Sequence, residues 1–527
     1  MSLDETFDQT FPQGSGHDSA LRLAALFGAV VFIFHIAANL WQTHLGYGYF
    51  RDELYYLICG RHLAWGYVDH GPMVAVQARV AETFFGRSLA GLRLLAGLAG
   101  GLRVLLTGLL TYMLGGRRAA QTLAMICVFV APQYLAVDGY LSMNSWESVF
   151  WMTCLIALIQ MVRSGCPESS KLWMLFGLSA GLGLLNKPSM TFFLVALLLA
   201  LLATSQRRLL WTPWTPAGIA LMLAIVAPNI LWQVHHHWPT WEFLENGKTQ
   251  HKNVILGPLA FLNAQFVGMH PLNTLVWLPG LVWLLRQSRW RWLGLMYVVF
   301  LTIMMVLHAK DYYVIPVYPI LFAAGGVTWQ TWRPKRADRL VGFPVLASVL
   351  LLTGAIILPM STPVMTPTAW LAYTKALHLY DPSNKTETMA NGPLPQFYAD
   401  RFGWQEEVDQ ITRVYRSLSP EDQRRATILC TNYGEASAVN FLGHGLPVAI
   451  SGQNNYWLWG THGATGEVVI AVTGASPQEM LESYAQVQVV GRMDSPYAMP
   501  YEHRNIYLAR DRKQNLTLDW PDFKNYI

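Results

Sequence analysis

Long apolar runs separated by short polar connections fill the first two thirds of the chain, and the pattern changes near residue 361. An apolar helix needs about 20 residues to cross the hydrocarbon core of a bilayer. Runs near that length cover residues 21–45, 89–114, 119–137, 147–162, 172–185, 190–203, 215–234, 258–285, 293–307, 312–328 and 340–360. They predict about eleven transmembrane helices, of which the fifth and sixth are short for a span. Gly97 with Gly101, and Gly177 with Gly181, have the small-xxx-small spacing that permits close helix packing.

The connections alternate in charge. Every second one is basic: Arg117-Arg118, Arg163 with Lys171, Arg207-Arg208, the Arg286/Arg289/Arg291 group and the Arg333/Lys335/Arg336/Arg339 group. The intervening short ones are poor in Lys and Arg and hold at most one each, near Lys187 and Lys310. By the positive-inside rule the basic set is cytoplasmic, together with the tail 1–20. A long connection at 46–88, a short one at Asp138–Trp146 and everything after Met360 then face outward. The first residues are polar and acidic with no basic stretch before an apolar run, so the first span reads as a retained anchor and not a cleaved signal.

Residues 361–527 have the composition of a soluble domain. Helical spacing marks 404–418, 434–442 and 477–485, and β-branched runs mark strands at 426–430, 447–450, 467–472 and 487–490. Their alternation predicts a small α/β layer on a parallel or mixed sheet. No Gly-rich phosphate loop opens any of these helices. The expected fold class is thus a polytopic α-helical membrane protein, 21–360, with a C-terminal soluble α/β domain.

Composition agrees. Of 527 residues, 53% are hydrophobic and 13% charged, against about a quarter charged in a soluble domain. A net charge of +5 is too small and dispersed for nucleic-acid binding. The five cysteines show no C-x-x-C pairing and indicate neither a zinc ribbon nor a disulfide framework. Two sequons, at Asn384 and Asn515, matter only in a eukaryotic secretory setting.

Polar groups unusual for a membrane protein gather on the outward side: Arg51, Asp52, Glu53, Asp69, His70, Asn144, Glu147, Lys187, His235-His236-His237, His270, His308, Lys310 and Asp311. Singly, each has an ordinary explanation. A histidine at a span end is commonly a hydrated interfacial group, adjacent histidines point in different directions, and lysines snorkel to headgroups. Charge beside a membrane boundary is nonetheless expensive to desolvate and often serves chemistry.

Taken in order, Asp52-Glu53, Trp65-Gly66-Tyr67-Val68-Asp69-His70-Gly71-Pro72, Ser142-Met143-Asn144-Ser145-Trp146-Glu147, Asn186-Lys187-Pro188, and Lys310-Asp311-Tyr312-Tyr313 with Pro316 and Tyr318-Pro319 resemble the bacterial branch of the protein O-mannosyltransferase superfamily, related to the aminoarabinose–lipid A transferases. In the tail, Arg401-Phe402-Gly403-Trp404, Asn432-Tyr433-Gly434-Glu435-Ala436 and Ser451-Gly452-Gln453-Asn454 resemble the external domain of one subgroup. The resemblance implies a GT-C fold in a bacterial inner membrane, with the active site and C-terminal domain facing the periplasm or exterior. It implies a polyprenyl-phosphate (undecaprenyl-phosphate-type) sugar as donor, and lipid A, a glycolipid, a polysaccharide or a protein hydroxyl as acceptor. Besides these the expected partners are membrane lipids, with no nucleic acid.

Inverting transfer from a lipid phosphate needs a general base for the acceptor hydroxyl, and the family places it on the Asp of this Asp-Glu pair, here Asp52. Glu53 is grouped with it as catalytic, orienting the loop or assisting a metal. The departing phosphate needs cations, for which Lys310 and Lys187 are first candidates, with Arg51 and His308 behind them. Asp69, His70, Asn144, Glu147, Tyr312 and Tyr313 are expected to line the cavity or the acceptor site. Relatives often carry an Asp slightly before the position of Glu147, which leaves open whether Glu147 faces the cavity or begins a span. An Asp, Glu and His set suits a divalent ion, so a metal stays an open cofactor question with no ligand set assigned. The rivals are a transporter or lipid flippase, disfavoured by the lack of internal repeats, and a non-catalytic scaffold.

Overall fold

The computed structural model describes residues 15–332, 336–383, 385 and 387–527. Most of the N-terminal tail, part of the Arg333–Arg339 basic group and most of the Asn384 sequon lie outside the described residues.

Helices occupy all eleven predicted segments: α1 (Ser15–His44), α2 (Arg51–Arg61), α3 (Pro72–Phe85), α4 (Leu89–Met113), α5 (Arg118–Val130), α6 (Pro132–Val137), α7 (Met143–Ser164), α8 (Ser170–Asn186), α9 (Met190–Leu202), α10 (Thr215–His235), α11 (Pro239–Thr249), α12 (Pro258–Gly268), α13 (Thr274–Arg286), α14 (Arg291–Val306), α15 (Tyr318–Trp332) and α16 (Arg336–Ile357). Fewer qualify as spans. Among the described residues six helices are long and apolar enough to cross a membrane, or up to eight if each of two sharply bent pairs is one span. Two of the expected runs are interrupted by backbone breaks. The run 119–137 divides at Pro132, whose ring cannot continue a helix from the extended Ala131. The run 258–285 divides at His270, which has φ 71°, followed by Pro271.

The expected long loop at 46–88 is itself helical. Asp52 and Glu53 lie in the first turn of α2, where carboxylates complement the helix dipole. Pro72 starts α3 at the position where its missing N–H is harmless. The α1–α4 and α8–α10 pairs pack closely through glycine. A Cβ on Gly101 would sit 2.7 Å from the Gly28 carbonyl oxygen, and one on Gly177 would collide with the Gly218 carbonyl.

The C-terminal sheet has five strands: β1 (Ala426–Cys430), β2 (Ala449–Ser451), β3 (Val468–Thr473), β4 (Tyr484–Arg492) and β5 (Asn505–Arg512), in the order β2-β1-β3-β5-β4. β1 pairs in parallel with β2 and β3, while β5 runs antiparallel to β3 and β4. The mixed sheet was expected; β5 was not. One helix, Tyr433–Leu442, faces the membrane-side segments. Leu54, Tyr55 and Ile58 of α2 share a hydrophobic core with Tyr433 and Val439 of that helix and Ile470 of β3.

Candidate active site

Two arginines inside the apolar helix α4 anchor the polar segments. Arg93 is wholly buried and grips Glu53 bidentately, Nε to Oε1 at 2.8 Å and Nη2 to Oε2 at 2.7 Å. Glu53 also accepts from the Phe50 and Leu141 backbone N–H groups, each at 2.9 Å. Arg103 donates to Asp138 Oδ2 and to the Ser145 carbonyl, both at 2.6 Å, tying down the connection before α7. Sequence reading missed both arginines, although charge in an apolar span is the signal that reveals such anchors.

The two adjacent carboxylates, Asp52 and Glu53, thus have different surroundings. Glu53 is saturated by four donors and sealed from solvent. Of the roles weighed for it, orienting the segment fits. Asp52, one residue earlier, points elsewhere. Its side chain is 32% exposed, and Oδ1 accepts from the Tyr433 hydroxyl at 2.8 Å.

Arg51 turns into the C-terminal domain. Its guanidinium lies over the rings of Tyr433 and Tyr501, 5.2 and 5.5 Å from their centroids. Nη1 donates to the Tyr501 hydroxyl at 2.6 Å, which donates in turn to Asp400 Oδ1 at 3.0 Å. Burial pushes the Asp400 carboxyl up to about 7 against the pull of Arg51. Within electrostatic reach of Arg51 stand Lys252 and Glu387, and Lys252 is also within reach of Asp52. Burial holds the Lys252 ammonium below the ordinary lysine range. Burial pushes the Glu387 carboxyl up, yet Lys252, Lys310 and Arg51 together hold it below its usual value. Lys310 Nζ lies 3.5 Å from Glu387 Oε1.

A second polar cluster adjoins through tyrosine. Lys187, at the end of α8, donates to Asn144 Oδ1 at 2.8 Å and Glu147 Oε2 at 3.0 Å, and the Ser189 hydroxyl donates to Glu147 Oε1. Its ammonium sits 4.2 Å from the Tyr313 ring centroid and 5.3 Å from that of Tyr312, and the Lys310 ammonium lies 6.0 Å from the latter. Glu147 is therefore inside α7 yet turned to this cluster. His308, exposed at the end of α14, lies outside these contacts.

Asp69 accepts from the Tyr55 hydroxyl at 3.1 Å, and burial pushes its carboxyl up. His70 is packed among Tyr55, Tyr56 and Tyr67. Its Nδ1 donates to the Gly71 carbonyl at 2.8 Å, while Nε2 has no partner. With Leu184, Pro188, Gln233, Trp238 and Trp241 it lines a cavity of about 200 Å³ between α8, α10 and α11. His236 stacks on Trp232, and among the described residues no group of three or more His, Cys, Asp and Glu side chains is placed to share a metal ion.

Residues 69–232 match the family model described as dolichyl-phosphate-mannose-protein mannosyltransferase, a segment that includes Asp69, His70, Asn144, Glu147 and Lys187 but begins after Asp52. No curated protein matches the sequence. Among solved structures, ArnT from Cupriavidus metallidurans bound to undecaprenyl phosphate is 16% identical, with 92% of this chain and 97% of that one covered and a TM-score of 0.57. The chain has the GT-C fold. ArnT of the same organism in the apo state matches equally well, at 14% identity and a TM-score of 0.57, covering 91% of this chain and 97% of that one.

Proposed function

We propose that the chain is a membrane glycosyltransferase that moves one sugar from a polyprenyl-phosphate donor to a hydroxyl acceptor, with Asp52 as the general base. The observation that carries this reading is a part-exposed carboxylate set beside a group of cations, Arg51, Lys252 and Lys310, with Lys187 beyond the Tyr312–Tyr313 pair. In the reaction, Asp52 takes the proton of the acceptor hydroxyl as its oxygen bonds to the anomeric carbon. The bond from that carbon to the phosphate oxygen breaks, and its electron pair leaves with the lipid phosphate. Fixed ammonium groups stabilise the charge that grows there. An incoming phosphate would share Lys252 and Lys310 with the Glu387 carboxylate. The cavity beside His70 and Pro188, walled by Trp238, Trp241 and Leu244, suits the first prenyl units of the donor.

The site belongs, in this reading, on the outer face of a bacterial inner membrane, as the alternating loop charges argue. Residues 361–527 form the external domain over it, and Lys252, Glu387, Tyr433 and Tyr501 add to the residues named from sequence. Lipid A, a glycolipid, a polysaccharide and an exported protein all offer a suitable hydroxyl. The step is drawn on Asp52 and the cations; Glu53 is held by Arg93, and His70 Nδ1 donates to the Gly71 carbonyl.

The test is sugar release from undecaprenyl-phosphate-linked mannose, glucose and aminoarabinose by the purified full chain. Asp52→Asn is expected to lower turnover of the accepted donor by about 10²- to 10⁴-fold. Full transfer by Asp52→Asn would remove Asp52 as the base, and indifference to all lipid-linked sugars would count against the donor class.

A further inference from the structure

We propose that Tyr433, in the C-terminal domain, is a positioning residue of the active site: its hydroxyl fixes the Asp52 carboxylate and leaves one oxygen directed to the acceptor. The inference rests on Asp52 being the base. Oδ1 of Asp52 is engaged by Tyr433, and Oδ2 makes no hydrogen bond among the described residues. A carboxylate held by one oxygen has a defined lone-pair direction on the other, and a base must lie within hydrogen-bond reach in a fixed geometry.

The tyrosine is itself immobilised. Asn432 caps the helix Tyr433–Leu442, accepting from the Glu435 N–H at 3.0 Å, while Glu435 Oε2 accepts from the Thr431 and Asn432 N–H groups at 2.8 and 3.2 Å. The Tyr433 N–H donates to Gln453 Oε1 at 3.0 Å, and its ring packs 4.6 Å from that of Tyr55. Gly434 completes the arrangement. A Cβ there would lie 2.5 Å from Arg51 Cγ, so only glycine lets the Arg51 side chain cross the helix start and stack on Tyr433. The Asn-Tyr-Gly-Glu motif is thus the face that the C-terminal domain presents to Asp52. The other charged and titratable groups around Asp52 are Arg51 and Lys252, of opposite sign, the carboxyls of Asp69 and Asp400, and the phenols of Tyr56 and Tyr140.

Carbodiimide coupling with glycine methyl ester, read by peptide mass spectrometry on the full chain in detergent, reports how firmly each carboxylate is held by its hydrogen-bond partners. In Tyr433→Phe, labelling of Asp52 at fixed near-neutral pH is expected to rise roughly tenfold, the loss of one hydrogen bond to a charged group, with Asp69, Asp400 and Glu502 unchanged. Gly434→Ala keeps the hydroxyl and displaces Arg51, so labelling of Asp400 and Glu502, which face Arg51, is expected to rise there, unlike in Tyr433→Phe. Unchanged Asp52 labelling in Tyr433→Phe, or a rise in that variant shared by all four carboxyls as local opening would produce, overturns the proposal. Sugar transfer retained by Asp52→Asn would overturn the base assignment alone and leave the labelling result standing.

Discussion

Replacing Glu53 by glutamine leaves the Arg93 guanidinium buried without its counter-charge. Breaking such a pair from one side costs about 3–5 kcal/mol, so Glu53→Gln is expected to lower the detergent melting temperature sharply. Asp52→Asn, at a part-exposed site, should leave it nearly unchanged while slowing transfer; thermal melts of the two variants check the contrast. Two neighbouring acids are indistinguishable in sequence. Their division of labour depends on Arg93, forty residues away in a run that hydropathy counts as a plain span. Asp400 gives a pH signature of its own. Its folded-state value of about 7 lies above the ordinary 3.8, so the folded chain binds the proton more tightly than the unfolded one. That contribution is complete below about pH 3.8 and is lost as the pH rises through about 7. Asp400→Asn lacks it, so the melting temperature of the variant minus that of the wild type should increase from about pH 5 to about pH 8. A difference that stays flat or falls would contradict the burial argument.

Helix by helix, hydropathy located every apolar segment but not where the backbone breaks within it. Pro132 and Pro271 stood in plain view, yet proline inside an apolar run is compatible with a kink or a stop, and tertiary packing decides between them. The small-xxx-small pairs were legible, and the contacts bear them out at Gly101 against Gly28 and at Gly177 against Gly218. A branched side chain has no room where the Gly28 carbonyl oxygen lies 2.7 Å from the Cβ position. Gly101→Val is therefore expected to destabilise the α1–α4 pair by about 1–3 kcal/mol, as overpacking does, seen as faster inactivation in detergent. In the C-terminal sheet β5 escaped notice because Asn505–Arg512 mixes charged and apolar positions, and its pairing with β3 and β4 comes from distant segments.

At the scale of the whole molecule, the membrane class, the mixed α/β tail and the placing of Asp52 at a polar end were readable from composition and order. The contribution of the tail to the site was not. Lys252, Glu387, Tyr433 and Tyr501 sit in segments whose spacing carries no periodic signal toward Asp52, and only the folded chain brings them there. A chain ending at Met360 would uncover Leu54, Tyr55 and Ile58, which are buried against the tail. Limited proteolysis of that truncation is expected to cut within Arg51–Arg61, whereas the full chain resists there.

The shared core also bears on descent. A tail that only covered the site could be exchanged between relatives at a linker, like a lid between jars. Here one part of a core is written near residue 55 and another beyond residue 403, including the helix Tyr433–Leu442. Any lineage that altered one part had to accept or match the change in the other. A transplant of residues 361–527 into a distant relative should therefore fail unless the segment Arg51–Arg61 travels with it, making those two stretches a single heritable unit separated by about three hundred and seventy residues of chain.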